Sequence, residues 1–160
     1  MKRIIIALSA ILVLSGCAST KSVDVMTTEK IAGPKVIAIA GDRGAWVFEI
    51  EKRIKKDGFT IKRAVSQQEV TQVVAPGKTA TFNEATARYV LNIQGYAPNN
   101  KMQRCYGGGY NFDYIDAELV DLVDNKTVFH YSNSGYSEGC QPMSGTIFGD
   151  IANILNQAWK

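Results

Sequence analysis

The sequence predicts an α+β fold with a single domain, in which a mixed or antiparallel sheet with a central β-hairpin is packed by an N-terminal and a C-terminal helix. Three observations predict it: an amphipathic segment near each end of the domain, an alternating strand pair between residues 112 and 133, and short β-branched runs elsewhere. The expected order of elements is β-α-β-(α)-β-β-β-α. A chain of 160 residues can build one ordinary domain with its own core.

The first half of the domain reads as strand, helix, strand. Residues 35–40 form a short apolar run typical of a buried strand, and Asp42 is positioned to cap the segment that follows. A helix is predicted over residues 43–57, ending at Gly58, because apolar residues recur at three- and four-residue steps: Trp46, Val47, Ile50 and Ile54. Residues 59–63 alternate between apolar and polar, which predicts a second strand.

Two capping-box patterns predict short helical turns in the middle of the domain. Ser66 is followed three residues later by Glu69, and Thr81 is followed in the same way by Glu84. The intervening residues 75–78 contain Pro and Gly and are predicted to form a loop.

The second half reads as three strands and a helix. Residues 89–94 alternate as a strand, and residues 95–110 are rich in Gly and Asn, as loops are. Residues 112–123 and 127–133 are predicted to pair as a β-hairpin around a turn at residues 124–126. Ser144 or Thr146 is expected to cap a final helix whose apolar stripe consists of Ile147, Ile151, Ile154, Leu155 and Ala158.

The N-terminus carries an export signal. Lys2 and Arg3 precede an apolar run from Ile4 to Leu14, which is too short to cross a bilayer because a spanning helix needs ~20 apolar residues. The run ends in Leu14-Ser15-Gly16-Cys17, which resembles the lipobox of bacterial lipoproteins. The resemblance implies cleavage after residue 16 and acylation, such as palmitate, on Cys17, which becomes the first residue of the mature protein.

The lipobox also implies a membrane location and a division of the chain into segments. Lipoproteins with Asp directly after the cysteine are retained in the inner membrane, whereas this chain has Ala18 there. The expectation is therefore the outer membrane, with the domain on its periplasmic face, and the inner membrane is the alternative. We expect residues 1–16 to be the signal peptide, 17–34 the lipidated cysteine and a flexible tether, and 35–160 the periplasmic domain.

The charge of the mature chain does not favour nucleic acid as a partner. Removing residues 1–16 takes away Lys2 and Arg3 and no acidic residue, so 16 Lys and Arg face 15 Asp and Glu, a net charge of +1. The basic residues are also dispersed along the chain.

Cys105 and Cys140 are the two thiols that remain once Cys17 carries lipid. In an oxidising compartment they are expected to form a disulfide. A redox or metal centre is the alternative, but the chain lacks a second nearby cysteine and has a single histidine. We therefore expect no metal and no cofactor.

The sequence offers few groups for catalysis. His130 is the only imidazole, the serines of residues 131–135 do not form a Gly-x-Ser-x-Gly elbow, and no Gly-x-x-x-x-Gly-Lys loop occurs. Asp113, Asp116 and Glu118 are the closest acidic grouping for glycosidic chemistry, with Asp116 and Glu118 on one strand face. We expect the protein not to be an enzyme, with a glycan-active enzyme on the Asp116 and Glu118 strand face as an alternative. A candidate partner-binding surface is the aromatic and glycine-rich segment Tyr106, Gly107, Gly108, Gly109 and Tyr110.

Three stretches of the domain resemble a periplasmic α/β family. They are residues 36–59, residues 87–95 and the hairpin of residues 117–128, although Asn125 stands where that family often has Gly. The family includes the curli secretion-pore lipoproteins, the lipoprotein activators of penicillin-binding proteins and the amino-terminal domain of the Tol-system propeller protein. The resemblance implies a fold and not a function.

These observations predict a membrane-anchored periplasmic lipoprotein that acts as a non-catalytic binding or assembly module for another cell-envelope component. The expected partners are the membrane, through the lipid, and another envelope protein. A subunit of an envelope secretion or assembly complex is the alternative, and the sequence leaves homo-oligomerisation open.

Overall fold

The computed structural model describes residues 20–63, 69–75, 78–83, 87–98 and 104–160. Eight strands and two helices lie in these ranges. In chain order they are β1 (Ser22–Val25), β2 (Val36–Gly41), α1 (Ala45–Lys56), β3 (Thr60–Arg63), β4 (Glu69–Ala75), β5 (Lys78–Asn83), β6 (Tyr89–Tyr96), β7 (Asn111–Asp121), β8 (Lys126–Tyr136) and α2 (Ile147–Ala158).

Six strands form one mixed sheet in the order β1-β8-β7-β6-β2-β3. β2 runs parallel to β3 and β6, and the remaining neighbours are antiparallel. The end of the sheet where β1 begins therefore also holds the last residues of β2, β6 and β8 and the start of β7. We call it the anchor end, and the opposite end the distal end.

Both helices pack on one face of this sheet. The core joins Ile37, Leu91 and Leu119 of the sheet to Ile50 of α1 and Ile151 of α2, all of them fully buried. Burying a side chain of this size stabilises the fold by ~1.5–3 kcal/mol relative to leaving it exposed. The result is a two-layer domain whose second sheet face is not part of the core cluster.

The predicted architecture is confirmed for the sheet, both helices and the central hairpin. The apolar residues of each predicted helix stripe are buried or packed against the core. β7 ends at Asp121, earlier than predicted, because the chain turns there and leaves Val123 70% exposed. Asn125 adopts a φ of 50° in this turn, which Asn tolerates better than most residues.

The helical turns predicted in the middle of the domain are wrong. Glu69–Ala75 and Lys78–Asn83 are strands that pair with each other as a separate antiparallel hairpin. Ser66 and Glu84, which belong to the two predicted capping boxes, lie outside the described residues. The β-branched residues at positions 70, 71, 73 and 74 favour extended backbone, and this preference outweighs the local capping pattern.

Two local predictions near the first helix and strand also need correction. Asp42 does not cap α1, whose N-cap is Gly44 without a side-chain hydrogen bond. Instead, Asp42 Oδ2 accepts a hydrogen bond from the backbone N–H of Gly95 at 2.8 Å and links β2 to β6 at the anchor end. Ser22–Val25, inside the segment predicted as a tether, forms β1 on the edge of the sheet.

Candidate functional site

The N-terminal segment is fastened to the anchor end from its first described residue. The hydroxyl of Thr20 lies 2.8 Å from the Ser134 hydroxyl and accepts a hydrogen bond from the Ser134 backbone N–H at 3.1 Å. The Nζ atom of Lys21 lies 3.0 Å from Asp150 Oδ2, in the first turn of α2. Thr20, which follows Cys17 by three positions, is therefore already held against the body of the domain.

The Cys105–Cys140 disulfide is present, and it joins two loops at the anchor end. The backbone N–H of Gln141 donates to the carbonyl of Tyr106 at 3.0 Å, which adds a second link between these loops. A Cβ at Gly109 would lie 2.6 Å from Cys140 Sγ, so this position requires glycine.

The predicted aromatic surface at residues 106–110 is only partly exposed. Tyr106 is 87% exposed and the two glycines after it are also exposed, whereas Gly109 is buried and Tyr110 is 3% exposed. Tyr110 faces the core because its ring packs against Phe112 and Phe148, and the Arg104 guanidinium lies 4.3 Å from the ring centroid. Tyr110 is thus removed from the candidate surface.

The sheet face opposite the helices carries the polar residues considered for catalysis. His130 Nε2 lies 3.6 Å from Asp116 Oδ1, and Glu118 Oε1 accepts a hydrogen bond from Thr127 Oγ1 at 2.6 Å. A shallow depression of about 230 Å³ is lined by Asn92, Gln94, Asp116, Glu118 and His130. Both carboxylates thus have partners within the domain.

No metal site emerges in the part of the chain that the structure describes. There, no three His, Cys, Asp or Glu side chains come close enough together to hold an ion. The single histidine has an exposed carboxylate neighbour in Asp116, which is an ordinary surface arrangement.

A larger cleft opens at the distal end, with a volume of about 750 Å³. It lies between the segment that follows β1 and the β7–β8 turn, and sequence reasoning did not identify it. Its lining consists of residues 26, 27, 29–32, 88, 89, 121, 124 and 126–128. Ile31 lines the cleft on the side formed by the N-terminal segment. Its backbone pairs with that of Trp159 at the end of α2, which holds this segment against the domain.

An arginine held by two carboxylates forms the polar side of this cleft. Arg88 Nη2 lies 2.7 Å from Asp121 Oδ2 and 3.1 Å from Asp124 Oδ2. The hydrogen bonds from Arg88 hold the pKa of Asp121 below its ordinary value, and bonds from the backbone N–H groups of Val123 and Asp124 act in the same direction. Burial raises the pKa of the neighbouring Tyr89.

Three exposed apolar side chains lie at or beside the cleft. Met26 at the cleft and Leu122 and Val123 in the adjacent turn are 61%, 54% and 70% exposed. Exposed apolar side chains grouped at one end of a sheet are typical of a contact surface. Their grouping depends on pairing of β1 with β8, in which partners such as Val25 and Phe129 are far apart in the chain. Local sequence patterns therefore do not reveal it.

Comparison with known proteins supports the lipid anchor. Residues 1–18 match the family model for the prokaryotic membrane lipoprotein lipid attachment site. No helix in the described ranges is long and apolar enough to cross a membrane. The chain is a lipoprotein that is anchored in a membrane through lipid at its N-terminus.

Solved structures resemble the domain distantly. One of them is a variant of PelC from Paraburkholderia phytofirmans, solved as a dodecamer, which is 15% identical to this chain. The match covers 87% of this chain and 94% of the PelC chain, with a TM-score of 0.43. TolB from Acinetobacter baumannii is 12% identical, with a TM-score of 0.42 over 87% of this chain and 31% of that chain. No curated protein sequence matches significantly.

Proposed function

We propose that the protein is an outer-membrane lipoprotein that faces the periplasm and binds another cell-envelope protein through its distal cleft. The observation that carries this proposal is the placement of two features at opposite ends of one sheet. The chain enters from the lipid at the anchor end, where Thr20 and Lys21 are held. The cleft lies at the distal end, where a partner has access to it.

The proposed location at the outer membrane rests on two features. Ala18 occupies the position where Asp would favour retention in the inner membrane. The Cys105–Cys140 disulfide suits a protein that folds in the oxidising periplasm.

The chemistry of the cleft favours a protein partner. Its lining holds three basic residues, Lys30, Arg88 and Lys126, and three acidic ones, Glu29, Asp121 and Asp124. This balance gives little attraction for a uniformly charged polymer such as nucleic acid. The exposed Met26 and Leu122 provide the apolar area that a protein segment can cover.

Binding rather than catalysis suits the arrangement of titratable groups. Asp121 forms an ion pair with Arg88. On the polar sheet face, Asp116 lies beside His130, and Glu118 accepts a hydrogen bond from Thr127. The proposed activity is therefore non-covalent, and the protein works as a binding or assembly module.

The test is photocrosslinking in living cells. A photoreactive phenylalanine analogue is placed at Met26 or at Leu122, and a matched control carries it at Phe48, which is 57% exposed on α1 and away from the cleft. The proposal predicts one crosslinked envelope protein, identified by mass spectrometry, from both cleft positions and not from Phe48.

Two outcomes would contradict the proposal. One is crosslinking from Phe48 with none from the cleft. The other is crosslinking from Met26 and Leu122 only to further copies of the same chain, which light scattering on the purified delipidated domain would confirm as a homo-oligomer.

A further inference from the structure

We propose that the anchor end of the domain rests on the same bilayer surface that holds the acyl chains of Cys17, with exposed tyrosines in the headgroup layer. The domain would then have a fixed orientation on the membrane. The inference uses the lipid anchor and the geometry of the anchor end, and it does not depend on what the distal cleft binds.

The first step is the reach of the chain. Thr20 and Lys21 are both fastened to the body of the domain, through Ser134 and Asp150 respectively. Thr20 is three positions after Cys17, and a fully extended chain covers only ~10 Å over those three steps. The polar layer on each side of a bilayer is ~5–8 Å thick, so Thr20 lies in or directly above it.

The second step is the distribution of aromatic side chains. All seven tyrosines of the chain lie in the described residues, and four of them are exposed: Tyr96, Tyr106, Tyr114 and Tyr136. Each of the four is at or near the anchor end. Tyr96 ends β6 and pairs with Tyr114 near the start of β7, Tyr136 ends β8, and Tyr106 is in a loop before β7.

Tyrosine is the side chain expected at such a position. Its ring is apolar and its hydroxyl is polar, so it is enriched where proteins meet the membrane interface. Met143, 59% exposed, adds an apolar side chain on the loop that the disulfide joins to the Tyr106 loop. The disulfide holds these two loops together as one surface.

Two carboxylates at this end have partners within the domain. The carboxylate of Glu138 accepts hydrogen bonds from the backbone N–H groups of Phe148 and Gly149, and that of Asp150 is paired with Lys21. The charge of Asp150 is offset by Lys21, and that of Glu138 by Arg53, whose Nε lies 3.8 Å from Glu138 Oε1. The distal end has no exposed tyrosine, because Tyr89 there packs against Trp159.

The experiment places a tryptophan at each end of the lipidated, full-length mature protein. Tyr106→Trp and Met143→Trp probe the anchor end, and Leu122→Trp is the matched exposed control at the distal end. Each protein is reconstituted into vesicles of phosphatidylethanolamine and phosphatidylglycerol, with or without lipids brominated close to the headgroup. The native Trp46 and Trp159 are buried, and the wild-type spectrum is subtracted to isolate the added residue.

The proposal predicts that the tryptophans at positions 106 and 143 are blue-shifted and quenched by bromine, whereas the one at position 122 is neither. Vesicle flotation confirms that every variant is membrane-bound, and circular dichroism confirms that it is folded. If one anchor-end variant does not fold, the other carries the test. Unquenched emission from folded anchor-end variants, or equal quenching at position 122, would overturn the proposal.

Discussion

Arg88 and Asp121, 33 residues apart in the chain, form a bidentate contact in which Arg88 Nε and Nη2 donate to the carboxylate at 2.9 Å and 2.7 Å. Asp121 also accepts hydrogen bonds from the backbone N–H groups of Val123 and Asp124. One carboxylate thus joins the start of β6 to the turn that follows β7. This contact holds the polar side of the distal cleft in place.

Asp121→Asn is expected to lower the free energy of unfolding at neutral pH by about 1–2 kcal/mol, because charge-assisted hydrogen bonds to half-exposed Arg88 are lost. Asp124→Asn is the control, since its carboxylate is exposed and its loss is expected to cost ~0.5 kcal/mol or less. Urea denaturation at pH 7 measures both. Equal effects of the two variants would show that Asp121 does not organise the turn.

The lowered pKa of Asp121 also predicts a pH dependence. A carboxyl whose pKa is lower in the folded state stabilises the fold fully above its unfolded pKa of ~3.9, and this contribution disappears as the pH falls through the folded value. The wild type should therefore lose more stability than Asp121→Asn when the pH is lowered from 5 to about 2. Parallel stability curves for the two proteins would contradict this assignment.

The disulfide is expected to form in the periplasm. Cys105 and Cys140 are 35 residues apart, and closing a loop of this length stabilises the fold by ~4 kcal/mol in the chain-entropy model. Alkylation of denatured periplasmic protein should modify neither thiol without reductant and both with it. Two alkylated cysteines in the absence of reductant would show that the bridge does not form in the cell.

Packing of α2 on the sheet gives a stability prediction. Ile151→Ala and Leu155→Ala should each lower the free energy of unfolding by ~2–5 kcal/mol, since both side chains are fully buried. Asn153→Ala on the exposed side of the same helix is the control and should change stability little. Denaturation midpoints of the two core variants that match the control would mean that the helix does not pack as described.

Local periodicity was sufficient to predict the parts of the fold whose signal lies within one element. The stripe around Ile50 and the stripe around Ile151 identified both helices, and the alternation before and after Asn125 identified the hairpin. The capping pattern before Glu69–Ala75 predicts a helical turn, but the β-branched residues of this segment form a strand. The short strand Ser22–Val25 depends on a partner far along the chain, which no local pattern shows.

The candidate sites also divide into those marked by a local motif and those formed by residues far apart in the chain. The lipid attachment site matched at residues 1–18 and the Cys105–Cys140 pair could be predicted because motif and compartment chemistry act through residue identity alone. Lipidation of Cys17 itself stays a prediction. The distal cleft could not, since it forms where the segment after β1 meets the turn after β7. Tyr110 was placed on the surface by composition, but packing against Phe112 and Phe148 buries it.

The most direct test of the account is acylation at Cys17, because both the proposed function and the proposed orientation on the membrane depend on this anchor. Wild-type protein labelled in cells with radioactive palmitate should incorporate the label and fractionate with membranes. Cys17→Ala should incorporate none and remain unprocessed or soluble, whereas Cys105→Ala, which leaves the lipobox intact, should still be labelled. Unchanged palmitate incorporation in Cys17→Ala would contradict the account.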